Sequence, residues 1–231
     1  MNIKKHIPNT LTSLNLLCGM VGIVFVLDGD ISWGAYLIFL AALFDFLDGF
    51  VARILQVHSE IGKQLDSLAD LVTFGVLPSF ILFQMVSENT DSEILPYITL
   101  VVGIFSALRL AKFNIDTRQS DKFIGVPTPA NALLISTLPF LIDRFETLGE
   151  FLSKPEVLIA LSIVMSLLLV AELPLIALKF KSYGIKDNLY RYLTLVIGLV
   201  CVLAFGLAGI PLLIISYIGL SVVEGLNSKN A

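Results

Sequence analysis

Four aspartates stand where hydrocarbon would be expected. They lie in Asp45-Phe-Leu-Asp48-Gly49-Phe-Val-Ala52-Arg53 and, after eight residues, in Gly62-Lys-Gln-Leu-Asp66-Ser-Leu-Ala-Asp70. An aspartate at the centre of a membrane helix costs about 2.5–3.5 kcal/mol, so four approach about 10 kcal/mol unless something compensates them. At 3.6 residues per turn, Asp45, Asp48, Gly49, Ala52 and Arg53 share an arc of about 140°, and Gly62, Asp66, Asp70 and Thr73 one of about 80°. A short connection through Gln56 to Ile61 would make the two helices antiparallel neighbours with their acidic stripes face to face. Oxygen-only ligands of this kind suit a hard divalent cation, magnesium or manganese. The small Gly49, Ala52 and Gly62 on the same faces leave room for a bulky ligand. The chemistry that fits is phosphoryl transfer assisted by two metals, or by one metal and a base. Two other readings stand beside it. The aspartates pair with Arg53 and Lys63 at a membrane boundary, although two cations do not match four anions; or they relay cations, in which case acids spread along the bilayer depth would be expected.

The elements that position these residues follow from the rest of the chain. Of its 231 residues 56% are hydrophobic and 15% charged, with a mean hydropathy of +0.89. Soluble domains run nearer 45–50% and about 25%, so a water-soluble enzyme is excluded, and a disordered chain with it. A net charge of −4 leaves no basic excess for nucleic acid. Cys18 and Cys201 lie inside apolar runs and read as packing residues. A membrane helix takes about 20 mostly apolar residues. The sequence predicts an all-α polytopic integral membrane protein with about eight such spans: 9–27, 32–53, 63–86, 95–115, 127–142, 156–176, 190–206 and 210–225. Continuous rather than alternating apolar runs argue against a barrel. The first run lacks a small-x-small cleavage pattern and reads as a retained helix rather than a signal peptide.

Basic residues set the orientation. With the N-terminus in the cytoplasm, all of the 15 basic residues except Arg144 and Lys154 fall on inner segments or inner helix ends. The opposing loops, Asp28-Gly-Asp30 and Glu88-Asn-Thr-Asp91-Ser-Glu93, are acidic. An even number of helices with both termini cytoplasmic is the consistent solution, and residues 1–231 read as one integral membrane domain. Trp33, Tyr190 and Tyr192 fall where an interfacial aromatic belt is expected, and the basic run from Lys179 to Arg191 suits anionic headgroups. His58, in the loop beside the acidic stretch, reads as solvated. Glu172 interrupts the sixth span and reads either as a partner of Lys179 or as part of an acceptor pocket.

The pattern Asp45-x2-Asp48-Gly49-x2-Ala52-Arg53-x8-Gly62-x3-Asp66-x3-Asp70 fixes eight residues over 26 positions. It resembles, without a departure, the signature of the CDP-alcohol phosphatidyltransferase family. Three further stretches are similar to the membrane-embedded phosphatidylserine synthases of that family: Asp70-Leu-Val-Thr73-Phe74-Gly75-Val-Leu-Pro78, Leu108-Arg109-Leu-Ala-Lys112-Phe113-Asn114, and Phe123-Ile-Gly125-Val-Pro127-Thr-Pro129-Ala-Asn131. The opening Pro8-Asn9-Thr-Leu-Thr12-Ser-Leu-Asn15-Leu-Leu-Cys-Gly19 is similar too. Lys112 stands where arginine is more usual in these proteins, a departure that keeps the charge. The resemblance runs from about residue 8 to 132.

The resemblance implies a transferase that moves the phosphatidyl group of CDP-diacylglycerol to the hydroxyl of L-serine, releasing CMP, with Mg2+ or Mn2+ as cofactor. Asp45, Asp48 and Asp66 would hold the metals, and Asp70 would add a ligand and act as general base, or serve as ligand alone. Gly49, Ala52 and Arg53 would form the floor for the CDP group, and Gly62 would keep its entrance open. Arg109 and Lys112, with Asn114 and Asn131 as polar neighbours, are candidates for binding serine, or else ordinary positive-inside anchors. Another acceptor, such as glycerol phosphate, inositol phosphate or inositol, and an ether-lipid donor stay open, as does a cation transporter from outside the family. A homodimer in the cytoplasmic membrane, with its site facing the cytoplasm, completes the expectation.

Overall fold

In a chain this apolar the backbone amides have no water to turn to and are satisfied within helices. The computed structural model describes residues 6–57, 59–116, 123–176, 184 and 188–229. Lys4, Lys5, Arg118, Lys122, Lys179, Lys181 and Lys186, counted above among the basic residues of the inner segments, and His58 of the loop beside the acidic stretch lie outside the described residues.

Helices α1 (His6–Leu27) and α2 (Ile31–Leu55) form an antiparallel hairpin, turned at Gly29 with φ of 94°. The end of α2 is closed by Gln56 in the left-handed region at φ 52°, the backbone N–H groups of Gln56 and Val57 returning to the carbonyls of Arg53 and Ala52. Ser59 then caps α3 (Glu60–Asp70) by accepting from the Gly62 N–H at 2.8 Å. A π-helical turn over Leu71–Val76 carries α3 into α4 (Leu77–Ser87), so that Glu60–Ser87 runs on as one 28-residue segment. A 3₁₀ stretch over Leu95–Leu100 leads into α5 (Val101–Ile115).

Beyond it come α6 (Thr128–Arg144), the short α7 (Glu146–Leu152), α8 (Pro155–Val170), α9 (Leu189–Phe205) and α10 (Gly209–Lys229). The described residues are all-helical as expected, apart from one two-residue antiparallel pair, β1 (Phe123–Ile124) with β2 (Pro174–Leu175). The sixth expected run, 156–176, accordingly stops being helical at Val170.

The α3–α4 segment is the spine. In its most apolar stretch 61% of residues are buried, against 22–33% in the other long helices. Phe74, Leu77, Ile81 and Leu82 are fully enclosed, with α1, α2, α5, α6 and α8 around α4. Small residues permit this closeness, as is usual where helices meet without water to drive them together. A Cβ on Gly19 of α1 would strike the Thr73 hydroxyl, one on Gly22 would come within 2.6 Å of Leu77, and one on Gly75 within 2.7 Å of Ser106 on α5.

Each of the eight expected runs forms a helix, but among the described residues five helices are long and apolar enough to cross a membrane, or six when α7 and α8, bent by 73°, count as one. The difference has two sources. Helix α6 is 17 residues long with Pro139 inside it. The run Leu189–Asn227 doubles back near Gly206: Asn227 donates to the Tyr190 hydroxyl at 2.7 Å and Arg191 pairs with Glu224 at 4.0 Å.

Overpacking a tight helix contact costs about 1–3 kcal/mol. Gly19→Val is therefore expected to lower the thermal unfolding midpoint in detergent by several degrees. Gly219→Ala, where a Cβ meets nothing within 4 Å, should leave the midpoint unchanged or raise it slightly; the two are compared by fluorescence-detected melting.

Candidate active site

Helices α2 and α3 bring the acidic stripes together as the spacing predicts, with one difference in packing. They barely touch each other; α1 lies along both and forms the third wall of a cleft of about 490 Å³. Asp48, Gly49, Ala52, Gly62 and Asp66 line it, with Thr12 contributed by α1. Nothing lies within 4 Å of where a Gly49 Cβ would be, so that position opens into the cleft, whereas a Cβ on Gly62 would sit 3.0 Å from Asn9 and Ser59.

Asp45, Asp48 and Asp66 each offer a carboxylate oxygen, all within 4.8 Å of one another. This separation suits a shared hard cation: the donors are oxygen only, carry charge and converge from two helices. Asp70, one turn further along α3, stands apart from that trio. It accepts a hydrogen bond from Asn15 Nδ2 at 3.2 Å and interacts electrostatically with Arg109. The Thr12 hydroxyl lies within hydrogen-bonding distance of Asp48 Oδ2 and of the Pro8 carbonyl. Helix α1 thus supplies a donor to each stripe, from positions three residues apart on one helix face.

These two α1 residues are the functional contribution that sequence reasoning quoted without giving a role. The signal was present: Thr12 and Asn15 are polar residues in an apolar run, and both are buried. Asn15 is tied down further by Thr73, whose hydroxyl donates to the Asn15 carbonyl at 3.1 Å.

The cations fall differently from the boundary-pairing reading. Arg53 is exposed in the last turn of α2, outside the lining of the cleft, and Lys63 reaches the Asn114 carbonyl at 3.4 Å. Among the described residues neither forms an ion pair with the four aspartates.

Arg109, by contrast, is buried. Its Nη1 donates to Thr128 Oγ1 at 3.1 Å, its guanidinium lies over the Phe113 ring at 5.2 Å, and its Nε has no partner. Lys112 is exposed one turn on, and both residues line a small cavity at the end of α5. Asn131 lies one turn beyond Thr128 on α6, fully buried, with both side-chain amide atoms unpartnered. Ser106 Oγ and Asn15 Oδ1 are likewise buried without partners. Buried polar atoms left unpaired cost about 1–3 kcal/mol each, and of these residues Asn15 is the one that touches Asp70. Asn114 is not part of this group: its amide donates to Ser67 Oγ at 2.8 Å and ties α5 to α3.

A family model described as CDP-alcohol phosphatidyltransferase matches residues 5–178, beyond the 8–132 over which the motifs were read. The CDP-diacylglycerol–serine O-phosphatidyltransferase of Helicobacter pylori strain J99 is 38% identical over 143 residues, 61% of this chain and 60% of that protein. The Bacillus subtilis protein of the same name is 38% identical over 140 residues, 59% of this chain and 76% of its own length. The archaetidylserine synthase of Methanothermobacter thermautotrophicus is 35% identical over 177 residues, 71% of each chain. The match to the H. pylori protein thus spans about three fifths of its length.

Residues that orient metal ligands are worth about 10–100-fold in affinity. Thr12→Val should therefore weaken Mn2+ binding by about tenfold or more, and Asp66→Asn should weaken it further, as read by electron paramagnetic resonance of free Mn2+ in detergent solution.

Proposed function

The chain belongs to the CDP-alcohol phosphatidyltransferase family, and we propose that it transfers the phosphatidyl group of CDP-diacylglycerol to the hydroxyl of L-serine, giving phosphatidylserine and CMP. The observation that carries this reading is the placement of Asp70. It stands beside, but outside, the Asp45, Asp48 and Asp66 trio, held by Asn15 and within electrostatic reach of the buried Arg109.

In this reading Asp45, Asp48 and Asp66 hold Mg2+ or Mn2+, with Asp70 as a further ligand. Bound there, the cation supplies positive charge against the pyrophosphate oxygens of the donor and the departing CMP. The cleft over Gly49, Ala52 and Gly62 takes the CDP group, and Arg53 meets a phosphate from its mouth. A serine hydroxyl is a poor nucleophile at neutral pH, and a carboxylate in hydrogen-bond reach removes its proton as the new P–O bond forms. Asp70 is that base, and the Asn15 amide fixes the orientation of its carboxylate. Arg109 and Lys112 meet the serine carboxylate and Asn131 provides a polar contact. The P–O bond to CMP breaks as the bond to serine forms, and the proton ends on Asp70.

Two relatives differ in what their names say of the lipid, one a CDP-diacylglycerol enzyme and one an archaetidylserine synthase. An ether-lipid donor is the second reading for this reason, with the same residues in the same roles. Glycerol phosphate or inositol phosphate as acceptor would call for more cations near the site than Arg109 and Lys112 supply.

The proposal extends to placement. The chain is one domain of eight crossings in the cytoplasmic membrane, counting α6 and each arm of the α9–α10 hairpin. Both termini and the mouth of the cleft face the cytoplasm, and the protein works as a homodimer.

Purified protein with CDP-diacylglycerol and Mn2+ should release CMP in a serine-dependent manner, and equal release without an acceptor would sink the acceptor assignment. Asp70→Asn should reduce turnover by at least about 100-fold, the usual worth of a general base, while donor binding stays near its original affinity. Unchanged turnover would remove Asp70 from the role of base.

A further inference from the structure

Lys63 pairs with none of the four aspartates, and yet it lines the same cleft as two of them, Asp48 and Asp66. It follows Gly62 on α3 and stands three residues before Asp66, the spacing of neighbours on one helix surface. Its ammonium is engaged elsewhere. Nζ donates to the Asn114 carbonyl, in the last turn of α5, at 3.4 Å. The end of a helix is a favourable place for a cation, but this contact is long for a hydrogen bond to nitrogen, which is usually about 2.7–3.2 Å. One carbonyl also answers only one of the three N–H groups of an ammonium.

The contact is not what joins the two helices. Asn114 Nδ2 donates to Ser67 Oγ at 2.8 Å, one turn further along α3, and Ser67 Oγ donates back to the Lys63 carbonyl at 3.3 Å. The backbone of Lys63 is thus fixed, and α5 stays tied to α3, whether or not the ammonium remains where it is. A four-carbon stem lets the tip swing by bond rotation alone, and the side chain is exposed.

We propose that Lys63 is a ligand of the donor diphosphate: when CDP-diacylglycerol fills the cleft of about 490 Å³, the ammonium leaves the Asn114 carbonyl and takes a pyrophosphate oxygen. The inference rests on the CDP-diacylglycerol reading and deepens it by placing a cation inside the cleft, where Arg53 is outside the lining. A diphosphate passing Glu60, Asp48 and Asp66, all in that lining, meets carboxylates, and a mobile positive charge on the same wall offsets their repulsion. Exchanging a neutral carbonyl for a phosphate oxygen gives the ammonium a charge-assisted hydrogen bond, the stronger kind.

The test is CMP release and donor binding in non-ionic detergent with Mn2+, CDP-diacylglycerol and L-serine. Lys63→Met, which keeps the stem and removes the charge, is expected to raise KM for CDP-diacylglycerol about five- to tenfold. KM for serine should stay within about twofold of the original. Lys63→Arg should recover most of the donor affinity. Added KCl should raise the donor KM of the original protein, and Lys63→Met should flatten that dependence. Ser67→Ala loosens the tie between α3 and α5 but keeps the lysine, and should leave the donor KM within about twofold. A donor KM unmoved by Lys63→Met, one that rises together with the serine KM, or an equal rise in Ser67→Ala overturns the assignment and leaves the transfer reading intact. An original protein that neither binds CDP-diacylglycerol nor releases CMP from it overturns that reading, and the role of Lys63 with it.

Discussion

Three carboxylates held within 4.8 Å of one another among apolar helices repel, and the surrounding structure answers that repulsion. At an effective dielectric of about 20, each pair at this separation contributes roughly 3–4 kcal/mol of unfavourable energy. Helices are the element that can bear it, because a helix backbone satisfies its own polar groups and keeps each aspartate at a fixed angle whatever its neighbours prefer. Helix α1 then closes on both acidic helices, and Thr12 and Asn15 give the carboxylates donors where water is scarce. The glycines of α1 follow from the same need, since the donors reach their aspartates only if α1 lies against the spine at Gly19 and Gly22.

What could be read from the sequence was whatever local spacing determines. The two stripes of aspartates, the short link between their helices and the small residues over the cleft are matters of period and neighbourhood, and they hold. The direct packing of α2 on α3 does not, because a hairpin link says that two helices are close in sequence and nothing about a third helix lying along both. Asn114 is the parallel case: adjacency to Arg109 suggested a shared pocket, but its direction on the helix takes it to Ser67. Asn131 was put forward from its motif, and it is buried with no partner for its amide. Glu172 carried two readings because a lone acid in an apolar run has no period to constrain it, and only the strand bridge brings it to the cavity of Arg109.

Hydropathy is blind to bends in a similar way. The stretch from Leu189 to Asn227 reads as one long apolar helix by length alone, yet its two arms lie side by side, with Gly198 against Leu213 and Gly209 against the Cys201 carbonyl. Both cysteines are free, as packing residues would be. The exposed surface of α9, including Leu195, Val196, Leu199, Val200 and Leu203, is almost wholly aliphatic. That is the surface a helix shows when its surroundings are as apolar as its core.

The π-helical turn between Asp70 and Leu77 sets these two halves of the molecule against each other in phase. A turn of this kind contains one residue more than an α-helix needs, and an inserted residue rotates everything beyond it by about 100°. A helical wheel drawn straight through Glu60–Ser87 therefore goes out of step after Leu71. The angular position of the aspartates and that of the Phe74, Leu77 and Ile81 face become separate variables, adjustable one without the other. Lengthwise the segment is a single helix; by side-chain period it is two, and the join falls immediately after Asp70.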